Sequence, residues 1–196
     1  MLYNFLLMEV LILQPIIVDL DIKKLMRYNI IWTITLVILL TSLNFFIQRP
    51  DFEWSTWVII KSICIFCTYY TVLIILHEAC HLLGFIVFGR APIQSISYGF
   101  KPKEGLAYAT TTATLTNRAM KAALMLPFWL TGVVPTIVGF YINSYTLLIA
   151  GAFLMAGAVG DFMMYTALRK YPNNYFVQDD PERPKLYVYE KAPSSY

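Results

Sequence analysis

The sequence predicts an all-α membrane protein: four transmembrane helices with a small cytoplasmic β-hairpin between the second and the third. Three observations point there. Apolar residues make up 58% of the 196-residue chain and charged residues only 14%, against roughly 25% charged in a soluble domain. Four apolar runs reach the length of about 20 residues that a hydrocarbon core of about 30 Å requires. Between the second and third runs, two stretches rich in β-branched and aromatic residues flank a turn sequence. A chain of 196 residues has room for one domain of this kind, spanning residues 1–196.

The first span covers about residues 28–47, with Asn29 and Asn44 as its only amides, each near an end. The second covers about 57–88, longer than the core needs, so it extends beyond the core or tilts. The third covers about 119–142 and carries Pro127 and Pro135; the fourth covers about 145–168. Only Asn143 and Ser144 separate the last two, which makes them an antiparallel pair. Ahead of the spans, residues 1–18 are apolar but interrupted by Glu9 and Pro15. That stretch lacks a basic start and a small-residue cleavage site, so it is expected as an interfacial or peripheral segment. Met8 is a second candidate start beside Met1.

Lysine and arginine set the direction of insertion. Lys23, Lys24 and Arg27 precede the first span, and Arg90, Lys101, Lys103 and Arg118 lie between the second and third, with Lys121 at the third's start. Arg169, Lys170, Arg183, Lys185 and Lys191 follow the fourth. The opposite side holds only Arg49, and Lys61 near a span end where its long stem can snorkel. Both termini are therefore expected in the cytoplasm of a multi-pass cell-membrane protein. The net charge of +3 is small and gives no ground for a nucleic-acid partner. Residues 93–100 (IQSISYGF) and 106–115 (LAYATTTATL), joined by Lys101-Pro102-Lys103-Glu104-Gly105, read as the hairpin. The tail, residues 171–196, is polar and proline-bearing with one strand-like run, 186–189, expected to add to the hairpin as a further strand.

Three cysteines, Cys64, Cys67 and Cys80, all fall in the second span, which excludes a disulfide scaffold. Cys67 precedes His77 by ten residues, about 15 Å of helix, too far to share a metal with the histidines. Cys64 and Cys67 are expected as small apolar packing residues.

The chemistry concentrates in His77-Glu78-Ala79-Cys80-His81, the pattern H-E-x-x-H. Residues four apart share a helix face, so both imidazoles reach one zinc ion, and the glutamate beside the first can take a proton from water at the metal. The pattern alone arises by chance, but its setting is specific. His77 and His81 are the only two histidines, and apart from Lys61 and Lys121 near span ends the spans contain four side chains of the Asp, Glu, His, Lys and Arg set, His77, Glu78, His81 and Asp161. Ionisable groups at membrane depth are unfavourable and mark function by default; a polar cluster that merely holds helices together has no need of this spacing. Cys80, inside the motif, reads as a neutral filler at an unspecified position.

A catalytic zinc usually takes three protein ligands and an open position. Asp161 is the leading candidate for the third. His81 lies nine residues before Arg90, and Asp161 eight before Arg169, so the two reach similar depth on helices running in the same direction. Ala156, Gly157, Ala158 and Gly160 are expected to let the fourth helix approach the second. Glu104 in the hairpin turn is the other candidate, and a third histidine does not exist. Gly132 and Pro135 are expected to kink or loosen the third helix beside the site.

With HEACHLLGFIVFG, the hairpin elements SYGF and GLAYA, GDFMMY in the fourth span and the tail QDDPERPKLYVYE, the chain resembles the bacterial membrane zincin-type peptidases, relatives of the site-2 class of intramembrane metalloproteases. The likeness covers most of the chain after about residue 21. It implies zinc held by His77, His81 and Asp161 with Glu78 catalytic. One departure stands out: typical site-2 proteases carry an aspartate-glycine pair, whereas Phe162 follows Asp161 here.

The expected activity is zinc-dependent hydrolysis of a peptide bond in a membrane-protein or membrane-proximal substrate, with the lipid bilayer as surroundings. The hairpin edge is either a seat for an unwound substrate strand or a plain connector. The competing class is a non-catalytic zinc-binding membrane scaffold or chaperone, which has no need of Glu78. A transporter fits less well, because no repeat of the spans is visible. Single-cysteine labelling tests the orientation: Ser144→Cys should react with a membrane-impermeant thiol reagent from outside, and a cysteine at Arg90 should not. Labelling at Arg90 from outside would overturn the orientation.

Overall fold

Among the described residues, four helices are long and apolar enough to cross a membrane: Ile22–Gln48, Thr56–Val87, Asn117–Tyr141 and Tyr145–Leu168. The computed structural model describes residues 14–49, 55–101, 106–181 and 183–193. The first two helices, α1 (Ile22–Gln48) and α2 (Thr56–Val87), are unbroken. The third is α3 (Asn117–Pro127), a π-turn (Phe128–Val133) and α4 (Val134–Tyr141). The fourth is α5 (Tyr145–Gly157) and α6 (Val159–Leu168), with the break at Ala158. Helix α1 starts ahead of the apolar run because Lys23, Lys24 and Arg27 are good helix formers, and the Lys24 ammonium sits 5.7 Å from the Tyr28 ring one turn on.

The chain separates into two compact units. One holds Ile22–Cys80 and Leu126–Val159. Its helices are joined by amides as well as by packing. Asn29 donates to the Ala156 carbonyl at 3.1 Å, Asn44 to Asn143 Oδ1 at 2.7 Å and Gln48 to the Phe140 carbonyl at 3.2 Å. Side-chain amides of this kind join helices whose apolar faces have no preference among apolar partners. Phe66 and Tyr70 meet the Phe153 ring edge-on at 5.5 and 5.6 Å, and Leu73 packs on Ala150 and Leu154. Between α4 and α5, Asn143 takes a left-handed turn at φ 52°, a conformation asparagine tolerates, and Ser144 caps α5 by accepting from Leu147 N–H.

The other unit holds the described parts of Met1–Asp21, His81–Met125 and Gly160–Tyr196. It contains a two-stranded antiparallel sheet, β2 (Ile96–Lys101) with β3 (Leu106–Thr111), and a four-stranded antiparallel sheet in the order β1-β6-β5-β4. The strands of the latter are β1 (Ile16–Asp19), β4 (Leu115–Thr116), β5 (Phe176–Asp179) and β6 (Lys185–Tyr189). Leu186 and Val188 point inward along β6 and are fully buried beside Leu115 and Val177, in a core completed by Phe85, Met120 and Leu168. Each such side chain contributes roughly 1.5–3 kcal/mol on burial. Asn117, fully buried at the start of α3, donates through Nδ2 to the carbonyls of Leu168, Tyr171 and Pro172 at 2.9–3.0 Å, so the Leu168 carbonyl that helix geometry leaves open at the end of α6, and two carbonyls of the turn that follows, find a partner.

Several expectations change here. The run 186–189 is a strand, but its partners are β1 and β5 and not the hairpin. Pairing with β5, its own sequence neighbour, closes a short loop at low entropic cost. The second hairpin strand ends at Thr111, not 115; Leu115 belongs to the other sheet. Residues 93–95 form a 3₁₀ turn ahead of β2. Ile16–Asp19, expected as part of a peripheral segment, is a sheet strand, while residues 1–13 lie outside the described residues. Cys64 and Cys67 are exposed on α2 and not packed inside. A Cβ on Gly157 would meet nothing within 4 Å, so this residue does not mark a close helix approach.

Asp179 ties the two sheets together. Its Oδ2 accepts from the buried Thr110 hydroxyl of β3 at 2.6 Å. Although the residue is partly exposed, its carboxyl is enclosed, and that desolvation raises its pKa from the ordinary carboxylate range to about 7, against the lowering effect of the Thr110 bond. A carboxyl with a raised folded pKa favours folding while protonated. Its contribution is complete below about pH 4 and is lost as pH rises through about 7. Asp179→Asn, which stays neutral and can still accept from Thr110, should flatten the fall in thermal midpoint between these limits. An unchanged slope in the variant would contradict the assignment.

Candidate metal centre

The five-residue motif lies wholly in α2, where apolar neighbours and the absence of proline or glycine up to Gly84 keep the helix regular. Four residues make just over one turn, which puts His77 and His81 on one face. Both are buried, at 9% and 8% exposure, although the helix around them is largely exposed. Glu78 follows His77 and is half-buried.

The face carrying His81 is brought close to α3 by Gly84. A Cβ at this position would fall 2.7 Å from Ala123 Cα, so only glycine permits the contact. The approach puts the Ala123 carbonyl 3.3 Å from His81 Nδ1. A carbonyl oxygen only accepts, so Nδ1 carries the hydrogen and the lone pair resides on Nε2. That Nε2 stands 3.6 Å from Asp161 Oδ1 of α6. One turn earlier on α2, His77 Nδ1 lies 3.1 Å from the Thr131 hydroxyl.

His77, His81 and Asp161 each offer one ligand atom, and these atoms lie within 4.8 Å of one another. Two ligands about 2.1 Å from a tetrahedral zinc stand roughly 3.4 Å apart, close to the 3.6 Å between His81 and Asp161. Two imidazoles and one carboxylate are also a donor set that zinc accepts with a fourth position left open. The residues present therefore fit the ion. Of the positions singled out in the sequence, these three come together; Cys80 is half-buried and outside the group, and Glu104 lies outside the described residues.

Sequence reasoning did not identify Thr131 or the Ala123 carbonyl. A backbone carbonyl leaves no mark in a sequence. Thr131 did leave one: it is a hydroxyl set four residues after Pro127 and four before Pro135 in an apolar run.

The paired imidazoles and the carboxylate form a group that could hold a metal ion. The sequence profile of the family described as "Putative zincin peptidase" matches residues 70–176, more than half of the chain, and the chain belongs to that family. The match runs from about two turns before His77 through Asp161 to the start of β5. No curated protein and no solved structure matches the chain.

Proposed function

We propose that this chain is an intramembrane zinc metallopeptidase that cleaves membrane-protein or membrane-proximal peptides. The observation that carries the reading is the group of His77, His81 and Asp161 ligand atoms within 4.8 Å of one another, with Glu78 adjoining the first ligand. Family membership supports zinc-dependent peptide hydrolysis. The apolar character of the four helices supports a location in a bilayer, and the distribution of lysine and arginine supports both termini and the β2–β3 hairpin on the cytoplasmic side.

In this reading His77 and His81 bind through Nε2, and Asp161 supplies the anionic ligand. When bound, zinc polarises the scissile carbonyl and acidifies water beside it. Glu78 removes a proton from the attacking water as its oxygen bonds to the carbonyl carbon. It then returns that proton to the departing amine as the C–N bond breaks. A helical substrate must first unwind, since its backbone bonds are made within the helix. Among the described residues β2 pairs only with β3, which supports its outer edge as a seat for the unwound strand.

Glu78→Gln should keep stoichiometric zinc in the purified protein and lose cleavage by about 10²–10⁴-fold, because an amide cannot take the proton. Asp161→Asn should bind zinc more weakly and also lose cleavage, since a neutral amide is the poorer ligand. Metal analysis, with a comparison of new membrane-protein N-termini in cells carrying each variant, separates the roles. Zinc lost from the Glu78 variant but retained by the Asp161 variant would exchange them. N-termini unaltered by Glu78→Gln would favour a non-catalytic scaffold.

A further inference from the structure

The third long helix departs from α-geometry over Phe128–Val133. Val134 N–H bonds to the Trp129 carbonyl five residues back, and Pro135 has no N–H to offer Thr131, so the α-register cannot run through this point. Such turns hold an extra residue and reset which side chains face a neighbouring helix. Thr131 lies within this one at 2% exposure. Packing holds the turn in place: a Cβ on Gly132 would fall 2.6 Å from Met155 Cγ.

The Thr131 hydroxyl has two neighbours. The Pro127 carbonyl is 2.8 Å away and His77 Nδ1 is 3.1 Å away. Those separations suit an O–H···O bond and an N–H···O bond respectively. A hydroxyl has one hydrogen. Pro127 oxygen can only accept, so it takes that hydrogen, and the hydroxyl oxygen is left to accept from His77.

We infer that Thr131 is a positioning residue for the metal centre: bonded to Pro127, its hydroxyl oxygen holds the hydrogen of His77 on Nδ1 and thereby presents Nε2 to zinc. The inference rests on the zinc-peptidase reading for its consequence, though not for its geometry. Without the hydroxyl, Nδ1 loses this acceptor, and with it the bond that favours the hydrogen on that atom. Partners of this kind behind a metal-bound histidine typically govern metal affinity. The Ala123 carbonyl does the same for His81, but as backbone it cannot be removed by substitution.

Two variants of the full-length protein in detergent or nanodiscs test this. Thr131→Val keeps the shape and removes the hydroxyl, whereas Thr131→Ser keeps the hydroxyl and removes the methyl. Competition with a chromophoric chelator should show zinc bound about 10–100-fold more weakly by Thr131→Val. Thr131→Ser should stay close to wild type. With only two histidines in the chain, ¹⁵N spectra of the metal-free protein report each tautomer directly. Wild type and Thr131→Ser should show His77 protonated at Nδ1, and Thr131→Val should show a mixture. Wild-type affinity with an unmixed tautomer in Thr131→Val would overturn the inference, as would Thr131→Ser behaving like Thr131→Val, which would make the residue a packing element. If wild-type protein binds no zinc, the peptidase reading fails, while the metal-free spectra still decide what Thr131 does to His77.

Discussion

An imidazole has two ring nitrogens, and when buried in an apolar helix each needs a polar partner. This requirement organises the protein around His77 and His81. The chain meets it for Nδ1 with an acceptor from the third helix in both cases, the Thr131 hydroxyl and the Ala123 carbonyl. Those two residues lie eight apart, about two turns of helix, whereas the histidines they serve are one turn apart. The π-turn, Phe128–Val133, begins within this interval and contains Thr131. Gly84 does the complementary work on α2, opening the space that brings Ala123 near.

The same rule acts at the helix ends. Asn117 gathers the last carbonyl of α6, the helix that carries Asp161, and two carbonyls of the turn after it, and Asn44 meets Asn143 where α4 turns into α5. Each amide occupies a place where an apolar helix leaves polar backbone or a polar turn exposed. Asp179 differs in kind from these amides, because its carboxyl is enclosed and the Thr110 bond only partly offsets the desolvation. A group at that point responds to pH near neutrality, whereas the amides do not.

Much of this was legible in the sequence, for reasons that differ by element. The four long helices follow from hydropathy, a local property, and their bounds lie near those read from residues 28–168. His77, Glu78 and His81 follow from a fixed spacing on one helix. Asp161 is separated from His81 by 80 positions, yet counting residues to the flanking arginines placed both at one depth, and the two side chains do meet. The four-stranded sheet was not legible beyond its last strand. Its order joins Ile16–Asp19 to Lys185–Tyr189 across almost the whole chain, and no local pattern specifies such a pairing. Thr131 was missed because its role depends on a break in helix register, not on the residue type alone.

X-ray absorption at the zinc edge examines the proposed centre directly, since it reads ligand type and distance without a substrate. Two imidazoles and a carboxylate require a first shell of nitrogen and oxygen at about 2.0–2.2 Å with outer-shell scattering from two rings. The Asp161→Asn protein should keep both ring signals if it is loaded with excess zinc. A sulfur shell at about 2.3 Å would bring Cys80 into the centre, and scattering from fewer than two imidazoles would remove one of the histidines. Either result would contradict a site built from His77, His81 and Asp161.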